Sequence, residues 1–537
     1  MEKEEFHLAD LAINLAIDRI LEKGSDDVFK PPVFSLSVES SILSKNADAF
    51  RKVAYGKALD FLKAADLTRE RIGPARRGLV AKDKNSFRQC AWLDPFDAVK
   101  YLAVSYMLFH EIEAARIPKH ERIVHSHRLS EKSDEIFDQN FGYDSFRQRS
   151  SELSRDRIGK WKVVTDISNF FDRISNHSLE NHLLDLGCNK KYVSLVREML
   201  YFWAGDRRSY GIPVGSDASR ILSEAVLLDV DAKLKNYGIV FVRYVDDFRI
   251  FSETKAEALK AIEILTNLLA DEGLSLNNRK TDIFKIVDAE EISQFTNKLS
   301  EGEHQGIDLE EKIEVKRAIR VSGKSSISRF YREPGKEALE KIKKISKDEI
   351  INGFINSSDF DIEQQIKLVV KYFVYVDQDV DLLKILIDKK ITSIFYIADA
   401  LIKEVKKFDQ EKREAIKKTI FDSVEWLECA YPLQIPILRI AGHPLFMEPG
   451  FVHGVIDRHL YTDNIIFFRE AITLGAHCLD RSRLRTLAMN VFENVPDFVR
   501  RQIYFLVNSS EILSESERRP LLRNMKQHID DWFIGQI

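Results

Sequence analysis

The stretch FVRYVDDFRIF, residues 241–251, places Asp246 and Asp247 between two short runs of apolar, β-branched and aromatic residues. Runs of this length and composition predict strands and not helices. The two carboxylates then lie at the tip of a β-hairpin, where side chains project from the end of a sheet and can hold a hard divalent cation through oxygen atoms. Because aspartate is also common in tight turns, an ordinary Asp-Asp turn is the alternative that this stretch alone leaves open.

A third aspartate follows another predicted strand. Residues 160–172 read KWKVVTDISNFFD, and the apolar run predicts a strand over 162–165 with Asp166 at its end. An aspartate in this place is also a common cap of the next turn. Two cations held by shared carboxylates stabilise both the attacking and the leaving oxygen in phosphoryl transfer. If the two strands are neighbours in one sheet, the three aspartates predict a site for that chemistry.

A glycine-containing loop lies between these two stretches. Residues 210–224 read YGIPVGSDASRILSE, in which two glycines and a proline predict a loop that a substrate can approach closely. Ser216 or Asp217 is expected to cap the helix that follows. Arg220 and Glu224, four residues apart on that helix, are expected to form an ordinary surface ion pair.

Two basic segments precede the strand that ends at Asp166. Residues 68–78, TRERIGPARRG, are broken by glycine and proline and predict a loop, which is either a solvated surface or a phosphate-contacting patch. Residues 122–129, RIVHSHRL, alternate apolar and polar positions and predict a strand. On such a strand, Arg122 and Arg128 could grip a triphosphate through charge-assisted hydrogen bonds.

The order of the predicted elements indicates the fold class. From residue 160 it is strand, helix, helix, hairpin, helix and strand, which indicates an α+β sheet. Residues 287–335 are polar and weakly periodic, and we place a transition or linker at 301–335. Helical periodicity alone follows over 336–537, which predicts an all-α, HEAT-like helical array, with an irregular bundle as the alternative. The predicted domains are therefore 1–158, 159–300 and 336–537, joined by that linker.

Composition restricts the class of protein. The 537 residues carry a formal net charge of −4. This argues against a protein that coats nucleic acid with most of its surface, but it is compatible with a local basic groove. The four cysteines show no CxxC or CxxH spacing, so neither a zinc site nor a disulfide framework is predicted. The acidic N-terminus is unlike a signal peptide, and the apolar runs are too short to span a bilayer. We expect a cytoplasmic protein without membrane contact.

Four motifs, in order, resemble those of reverse transcriptases. YVDD at 244–247 looks like their Tyr/Phe-x-Asp-Asp signature, and DISNFF at 166–171 resembles their first catalytic motif. GIPVGSDASR at 211–220 resembles the second, and LNNRKT at 276–281 resembles a later motif of the palm. The resemblance covers about residues 60–290. It implies a right-hand polymerase with N-terminal helices and fingers in 1–158, a palm in 159–300, and nucleotidyltransferase activity by a two-metal mechanism.

The resemblance also implies roles for individual residues. Asp166 and Asp246 would bind two Mg²⁺ ions, for which Mn²⁺ can substitute, with Asp247 assisting and the main-chain carbonyl of Ile167 joining the metal shell. Phe171 would lie under the sugar and exclude a 2′-hydroxyl, which favours deoxynucleotides. The other residues implied are Arg128, Arg122, Gly215 and Ser219 for binding the deoxynucleoside triphosphate, and Arg76, Arg77 and Lys280 for binding nucleic acid.

The second motif departs from the common pattern. Retroviral and intron enzymes usually have Gln-Gly there and Pro near Ser, whereas this chain has Val214-Gly215 and the sequence DASR at 217–220, followed by Glu224. This variant is similar to the bacterial abortive-infection and defence-associated reverse transcriptases, in which a helical-repeat domain follows the fingers and palm. That likeness implies a DNA polymerase of antiphage defence that forms a homo-oligomer. It further implies template-independent, protein-primed synthesis of single-stranded DNA that stays covalently attached.

Two other functions stay open at this point. One is a templated retron- or intron-type RNA-directed DNA polymerase that copies an RNA, although the Val-Thr-Gly motif typical of retron enzymes is not found in the sequence. The other is a non-enzymatic interaction protein whose helical half is the functional part. The intact aspartates and Phe171 argue against this last alternative, because an inactive palm would have no need of them.

Overall fold

The structure, a computed structural model, describes most of the chain and divides it into two compact units. The first unit comprises Met1–Val28, Asp48–Arg76 and Ala91–Gly302, and the second comprises Phe29–Ala47, Arg77–Cys90 and Glu303–Ile537. The described residues are 2–24, 38–64, 72–83, 86–204, 209–278, 280–286, 331, 333–356, 362–460, 464–526 and 531–537. The predicted linker at 301–335 therefore lies almost entirely outside the described residues.

The strands of the described residues form two sheets. One is two-stranded, β1-β2, and the other has the order β4-β5-β3-β6 with every neighbouring pair antiparallel. The strands are β1 (Arg76–Asp83), β2 (Ser86–Trp92), β3 (Trp161–Asp166), β4 (Val240–Tyr244), β5 (Asp247–Ser252) and β6 (Asp282–Lys285). The hairpin β4-β5 thus lies directly beside β3, which is the arrangement that the carboxylate argument required.

The two middle strands of the larger sheet are largely buried, although half of their residues are polar or charged. Val163 and Val164 of β3 and Ile250 of β5 lie in the core. Lys162 is buried among them, and its Nζ donates to the hydroxyls of Ser150 and Ser154 on the helix Tyr143–Arg155. These bonds satisfy an ammonium group that would otherwise be costly to bury.

Helix starts in the first unit follow the capping residues of the sequence. Oδ1 of Asp94 accepts from the amide of Phe96, with Pro95 as the first helical residue, and Oγ of Ser216 accepts from the amide of Ala218. The cap at Ser216 confirms the expectation from sequence, and the Asp94-Pro95 pair is likewise typical of a helix start. The helices of this unit are Lys3–Lys23, Ala47–Lys63, Pro95–Tyr106, Phe109–Ala115, Tyr143–Arg155, Phe170–Arg173, Asn176–Asp185, Lys190–Ala204, Asp217–Val226, Leu228–Asn236 and Lys255–Asp271.

The strand predicted over 122–129 is not formed. Val124 makes a single parallel bridge with Arg243, and Leu129 makes a single antiparallel bridge with Phe137. Arg122 and His127 have φ angles of 53° and 42°, which interrupt an extended chain. The alternation of apolar and polar residues therefore reflects side chains packed on two sides of an irregular segment. That segment runs along the outer edge of β4.

The second unit is helical apart from the hairpin β1-β2, within the part of the chain that the structure describes. Its helices vary from 5 to 14 residues in length, and the HEAT-like arrangement stays a prediction. They are Val38–Lys45, Lys336–Lys343, Lys347–Ile355, Ile362–Tyr375, Asp381–Lys389, Ile394–Lys403, Gln410–Ser423, Tyr431–Ala441, Pro449–His459, Ile465–Leu474, Arg481–Thr486, Asp497–Ser509, Glu515–Lys526 and Trp532–Gln536. None of the described helices of either unit is both long enough and apolar enough to cross a bilayer.

Two N-terminal segments belong to this second unit, and the predicted boundary at residue 158 did not foresee them. The amide of Leu79 in the hairpin donates to the hydroxyl of Tyr431, and a Cβ on Gly78 would lie 3.2 Å from the side chain of Ile466. The carboxylate of Glu39 is buried between Arg469 and Arg501. The helical unit is therefore built from three separate stretches of sequence.

Candidate active site

The three aspartates of the sequence motifs meet at one end of the larger sheet. Asp166, the last residue of β3, lies directly opposite Asp247, the first residue of β5, in the antiparallel register. Tyr244 pairs with Asp247 across the hairpin, so that Val245 and Asp246 form a two-residue turn. The amide of Ile167 donates to the carbonyl of Asp246 at 3.0 Å and joins this turn to the end of β3.

Asp166 has an unusual environment. Its Oδ2 accepts from Nζ of Lys280 at 2.9 Å, whereas its Oδ1 is buried and has no hydrogen-bond partner. Burial raises the pKa of this carboxyl above its ordinary value, and the nearby Asp246 and Asp247 raise it further, while Lys280 opposes the shift. Folding therefore holds a carboxylate in a place where its charge is disfavoured, which is typical of functional sites.

The turn that carries Asp246 is strained. Val245 has a φ angle of 55°, in the left-handed region that β-branched residues rarely adopt. A two-residue hairpin turn with positive φ at its first central position normally has glycine there. Nη1 of Arg243 donates to the carbonyl of Val245 at 2.8 Å and helps to hold this conformation. Such strain is kept only where surrounding contacts enforce it.

The donor set suits magnesium. Carboxylate oxygens are the hard ligands that Mg²⁺ prefers, and the unpartnered Oδ1 of Asp166 is an acceptor that a cation would satisfy. Among the described residues, no group of three or more His, Cys, Asp or Glu side chains lies close enough together to hold a metal ion. The prediction of a metal site at Asp166, Ile167, Asp246 and Asp247 therefore rests on the backbone register and the free oxygen.

The glycine-containing loop lies against the first motif. The amide of Ile212 donates to the carbonyl of Phe171 at 3.0 Å, and Phe171 packs its ring against Phe170 at 5.4 Å between centroids. Gly211 has a φ angle of 90°, and a Cβ there would lie 3.3 Å from the carbonyl oxygen of Asp172. Glycine is therefore required where the loop approaches Asp172, the residue that follows Phe171 in the helix Phe170–Arg173.

The structure gives the other predicted nucleotide-binding residues varied surroundings. Gly215 has a φ angle of 114° in the turn before the helix Asp217–Val226. Ser219 is fully buried, with its hydroxyl 3.1 Å from that of Tyr101. Arg128 is buried against Glu113 and donates to the carbonyl of Ile117 at 2.8 Å. Their roles toward a triphosphate stay predictions.

Of the other predicted basic residues, one lies at the site. Lys280 contacts Asp166, as described above, with its side chain about half exposed. Arg122 forms an ion pair with Glu152. Arg76 and Arg77 lie at the start of β1, whereas the sequence predicted a loop there. Their contacts with nucleic acid or nucleotide likewise stay predictions.

The sequence did not reveal a buried network of charges behind the hairpin. Arg243, predicted only as a strand residue, is fully buried and bonds the carboxylates of Glu224 and Asp231. Nη2 of Arg116 donates to the same Oε2 of Glu224 at 2.9 Å. The prediction of a surface ion pair between Arg220 and Glu224 was wrong, because both side chains are buried and Arg220 pairs with Asp217 instead. The only sequence signal was an arginine inside an otherwise apolar strand.

Comparison with known proteins agrees with this geometry. Residues 119–296, about a third of the chain, match the protein-family model described as reverse transcriptase (RNA-dependent DNA polymerase). This stretch is a reverse transcriptase domain. It contains the larger sheet, the three aspartates and, of the buried network, Glu224, Asp231 and Arg243. The finer assignment to abortive-infection enzymes goes beyond this match.

A curated relative has the same type of domain. The chain is 23% identical over 122 residues to the retron Ec86 reverse transcriptase of Escherichia coli, which is 22% of this chain and 36% of that enzyme. The match therefore spans about a third of the retron enzyme's length. It supports the reverse transcriptase domain and leaves the activity of the whole protein to be proposed.

Among solved structures, similarity is found to telomerases. A telomerase from Candida albicans in complex with a fragment of telomeric RNA has a TM-score of 0.33 and 13% identity, covering 72% of this chain and 67% of that one. An apo telomerase from Candida tropicalis has a TM-score of 0.32 and 12% identity, covering 71% of each chain.

Proposed function

We propose that this protein is a DNA polymerase that transfers deoxynucleotides at the end of its larger sheet, with Asp166, Asp246 and Asp247 as the catalytic carboxylates. One observation carries the proposal: the register pairs Asp166 with Asp247 while Oδ1 of Asp166 is buried without a partner. A carboxylate cluster on adjacent strands suits phosphoryl transfer. The reverse transcriptase domain makes nucleotidyl transfer the expected form of that chemistry.

Different residues of the domain would bind the metal ions and the nucleotide. Bound Mg²⁺ would supply charge stabilisation at the phosphoryl oxygens. Asp166 and Asp246 would hold the ions, and Lys280 would neutralise Asp166 while the site is empty of them. The loop at Gly211 would admit the nucleotide, and Phe171 beside it would border the sugar.

Replacing both Asp246 and Asp247 by alanine is expected to abolish incorporation of labelled deoxynucleotides in the presence of Mg²⁺, because the metal ligands are removed. The fold should survive, since the change also relieves repulsion with Asp166. Purified full-length protein would be assayed with and without a template, and its thermal unfolding recorded. The exposed Asp229, changed to alanine, is the matched control and should retain activity. Normal polymerisation by the double variant would refute the site.

The finer part of the proposal concerns the cellular role of the polymerase and the primer from which it starts synthesis. We propose that the polymerase acts in antiphage defence as a homo-oligomer and extends DNA without a template from a hydroxyl of the protein itself. The support is the departure of the second motif, residues 211–220, toward the abortive-infection type. Label from deoxynucleotides should migrate with the protein after denaturation and be released by protease. Label found only in free DNA would exclude protein priming.

A templated, retron-type polymerase is the second candidate. The observation in its favour is the sequence match to a retron reverse transcriptase over part of the domain. It predicts that RNA copurifies with the full-length protein and that ribonuclease treatment abolishes incorporation. Synthesis that persists after ribonuclease would favour the template-independent candidate instead.

Changing Phe171 to alanine is expected to raise ribonucleotide use relative to deoxynucleotide use by at least about tenfold, since removal of the ring would leave room for a 2′-hydroxyl. The measurement is the ratio of kcat/KM for a ribonucleotide and its deoxynucleotide. Phe170→Leu, which alters the neighbouring core aromatic, is the matched control and should leave the ratio unchanged. An unaltered ratio in Phe171→Ala would remove this residue from sugar selection.

A further inference from the structure

We propose that Arg243 is a positioning residue that sets the conformation of the Val245-Asp246 turn and so aims the catalytic carboxylates. The inference rests on the proposed function, because it concerns how that site is held in shape. Arg243 immediately precedes the YVDD motif, but its side chain is fully buried. It therefore acts from behind the hairpin and does not contact a substrate.

The guanidinium of Arg243 links three groups that are separate in sequence. Nε donates to Oδ1 of Asp231 at 2.8 Å, and Nη2 donates to Oε2 of Glu224 at 2.9 Å. Nη1 donates to the carbonyl of Val245 at 2.8 Å. Two carboxylates thus fix the fork of the arginine, and the remaining arm of the fork reaches the turn.

The main chain of Arg243 is held as firmly as its side chain. Its amide donates to the carbonyl of Ile123, and its carbonyl accepts from the amide of His125, both at 2.9 Å. Arg116 completes the network by donating to Glu224 and to the carbonyl of Ser126 at 2.6 Å. Two arginines face two carboxylates, so the charges of these four side chains balance. Burial of Glu224 would raise the pKa of its carboxyl, but Arg116 and Arg243 lower it to about 2.

The turn needs this support because its conformation is unfavourable. Val245 pays a steric cost at positive φ, so its peptide groups tend to rotate toward the ordinary region. Rotation would move the carbonyl of Val245 and redirect the following residue, Asp246. On the opposite side, the turn is held by the bond from the amide of Ile167 to the carbonyl of Asp246. Arg243 and Ile167 therefore clamp the turn between them.

An arginine that only stabilised the core would need no contact with the turn. The distinguishing feature of Arg243 is the bond to the carbonyl of Val245. Arg249, one strand over in the same hairpin, is also buried, but its Nη1 donates to the carbonyl of Phe248 and its guanidinium lies over the ring of Phe146. It provides a matched control for the loss of a buried guanidinium.

Arg243→Lys keeps the positive charge but cannot serve two carboxylates and a carbonyl together, because an ammonium lacks the planar fork. We expect kcat for deoxynucleotide incorporation to fall on the order of 10²-fold, the cost of misplacing a catalytic group by about an ångström. KM for the deoxynucleotide should stay within about threefold of the wild-type value. Arg249→Lys should also lower thermal stability, but kcat should stay within about threefold of the wild-type value.

A second substitution tests whether the loss of kcat in Arg243→Lys results from a changed conformation of the turn. Val245→Gly makes positive φ unstrained, so adding it to Arg243→Lys should restore kcat at least about tenfold. Amide hydrogen exchange should show Arg243→Lys increasing exchange at residues 244–247 and at Ile167, with Arg249→Lys leaving these amides protected. A wild-type kcat in Arg243→Lys, or no rescue together with unchanged exchange at the turn, would overturn the inference. If wild-type protein incorporates no nucleotide, the proposed function fails, and the exchange comparison still tests the role of Arg243.

Discussion

Asp166→Asn is expected to remove nucleotide incorporation and, at the same time, to raise the free energy of unfolding of the protein at neutral pH. The loss follows from the metal-binding role, since several kcal/mol of charge stabilisation at the phosphoryl group corresponds to a rate decrease on the order of 10³-fold or more. The gain follows from the surroundings of the side chain. Asparagine occupies the same space without a charge that burial and two neighbouring carboxylates disfavour.

The pH dependence of the gain in stability tests whether it comes from removing the charge of Asp166. Because the pKa of Asp166 is raised in the folded protein, its protonated form is favoured by folding, and its ionised form lowers stability as the pH rises. The advantage of Asp166→Asn should therefore be present at neutral pH and shrink as the pH falls toward 3.8, the ordinary value for aspartate. Urea unfolding of both proteins over this range is the measurement. Asp229→Asn, an exposed change, should alter neither property.

The opposite outcome would be informative. If Asp166→Asn unfolds more easily than the wild type at every pH, the bond from Lys280 to the carboxylate outweighs the burial of the charge. If the variant polymerises at the wild-type rate, the catalytic assignment fails whatever its stability.

Glu39→Gln is expected to destabilise the helical unit by on the order of 3–5 kcal/mol, the usual effect of removing one partner from a buried ion pair. Glu39 accepts from Nη1 of Arg469 at 3.1 Å and from Nη1 of Arg501 at 3.2 Å, and Arg501 also bonds Asp531. Burial opposes ionisation of Glu39, but the two arginines lower the pKa of its carboxyl. Without that charge, Arg469 and Arg501 would lose the carboxylate that they share.

The loss of stability should be measured within the helical unit, since the chain has two units that need not unfold together. Hydrogen exchange in the helices Ile465–Leu474 and Asp497–Ser509 would rise in Glu39→Gln, and the urea midpoint of the unit would fall. The exposed pair Glu428–Arg458 gives the control, because Glu428→Gln at a surface pair should cost at most about 1 kcal/mol. The wild-type carboxylate stabilises the unit above the ordinary glutamate pKa of 4.5, and this contribution should be lost as the pH falls through the lowered value.

A double replacement separates charge from packing. Glu39→Met with Arg469→Met removes one charge of each sign and leaves Arg501 paired with Asp531. This variant should recover most of the stability lost in Glu39→Gln, because a buried ion pair can often be replaced by apolar residues. If the double variant is less stable than the single one, the cost lies in lost packing and not in unpaired charge. Experiments on the helical half should keep the full chain, since residues 336–537 alone lack Glu39.

Several elements could be predicted from sequence because their signals are local. The strands around Asp166 and the hairpin at 241–251 follow from short apolar runs, and the caps at Asp94 and Ser216 follow from the hydrogen bonds that such side chains make to nearby amides. The prediction of a strand over 122–129 was wrong because an alternating pattern of apolar and polar residues has more than one structural cause. Its positive φ angles at Arg122 and His127 have no clear sequence signature in residues other than glycine.

Local residue patterns were enough to assign Asp166, Asp246 and Asp247 to the ends of strands, and the order of the motifs indicated a reverse transcriptase domain. Long-range contacts became known from the folded chain: Asp247 lies opposite Asp166, and Arg243 bonds Glu224, Asp231 and the turn. Glu39 likewise bonds an arginine 430 residues away. The reason is physical. Strand and cap preferences act over a few neighbouring residues, whereas a buried charge is stable only beside a partner that folding of the whole unit brings to it.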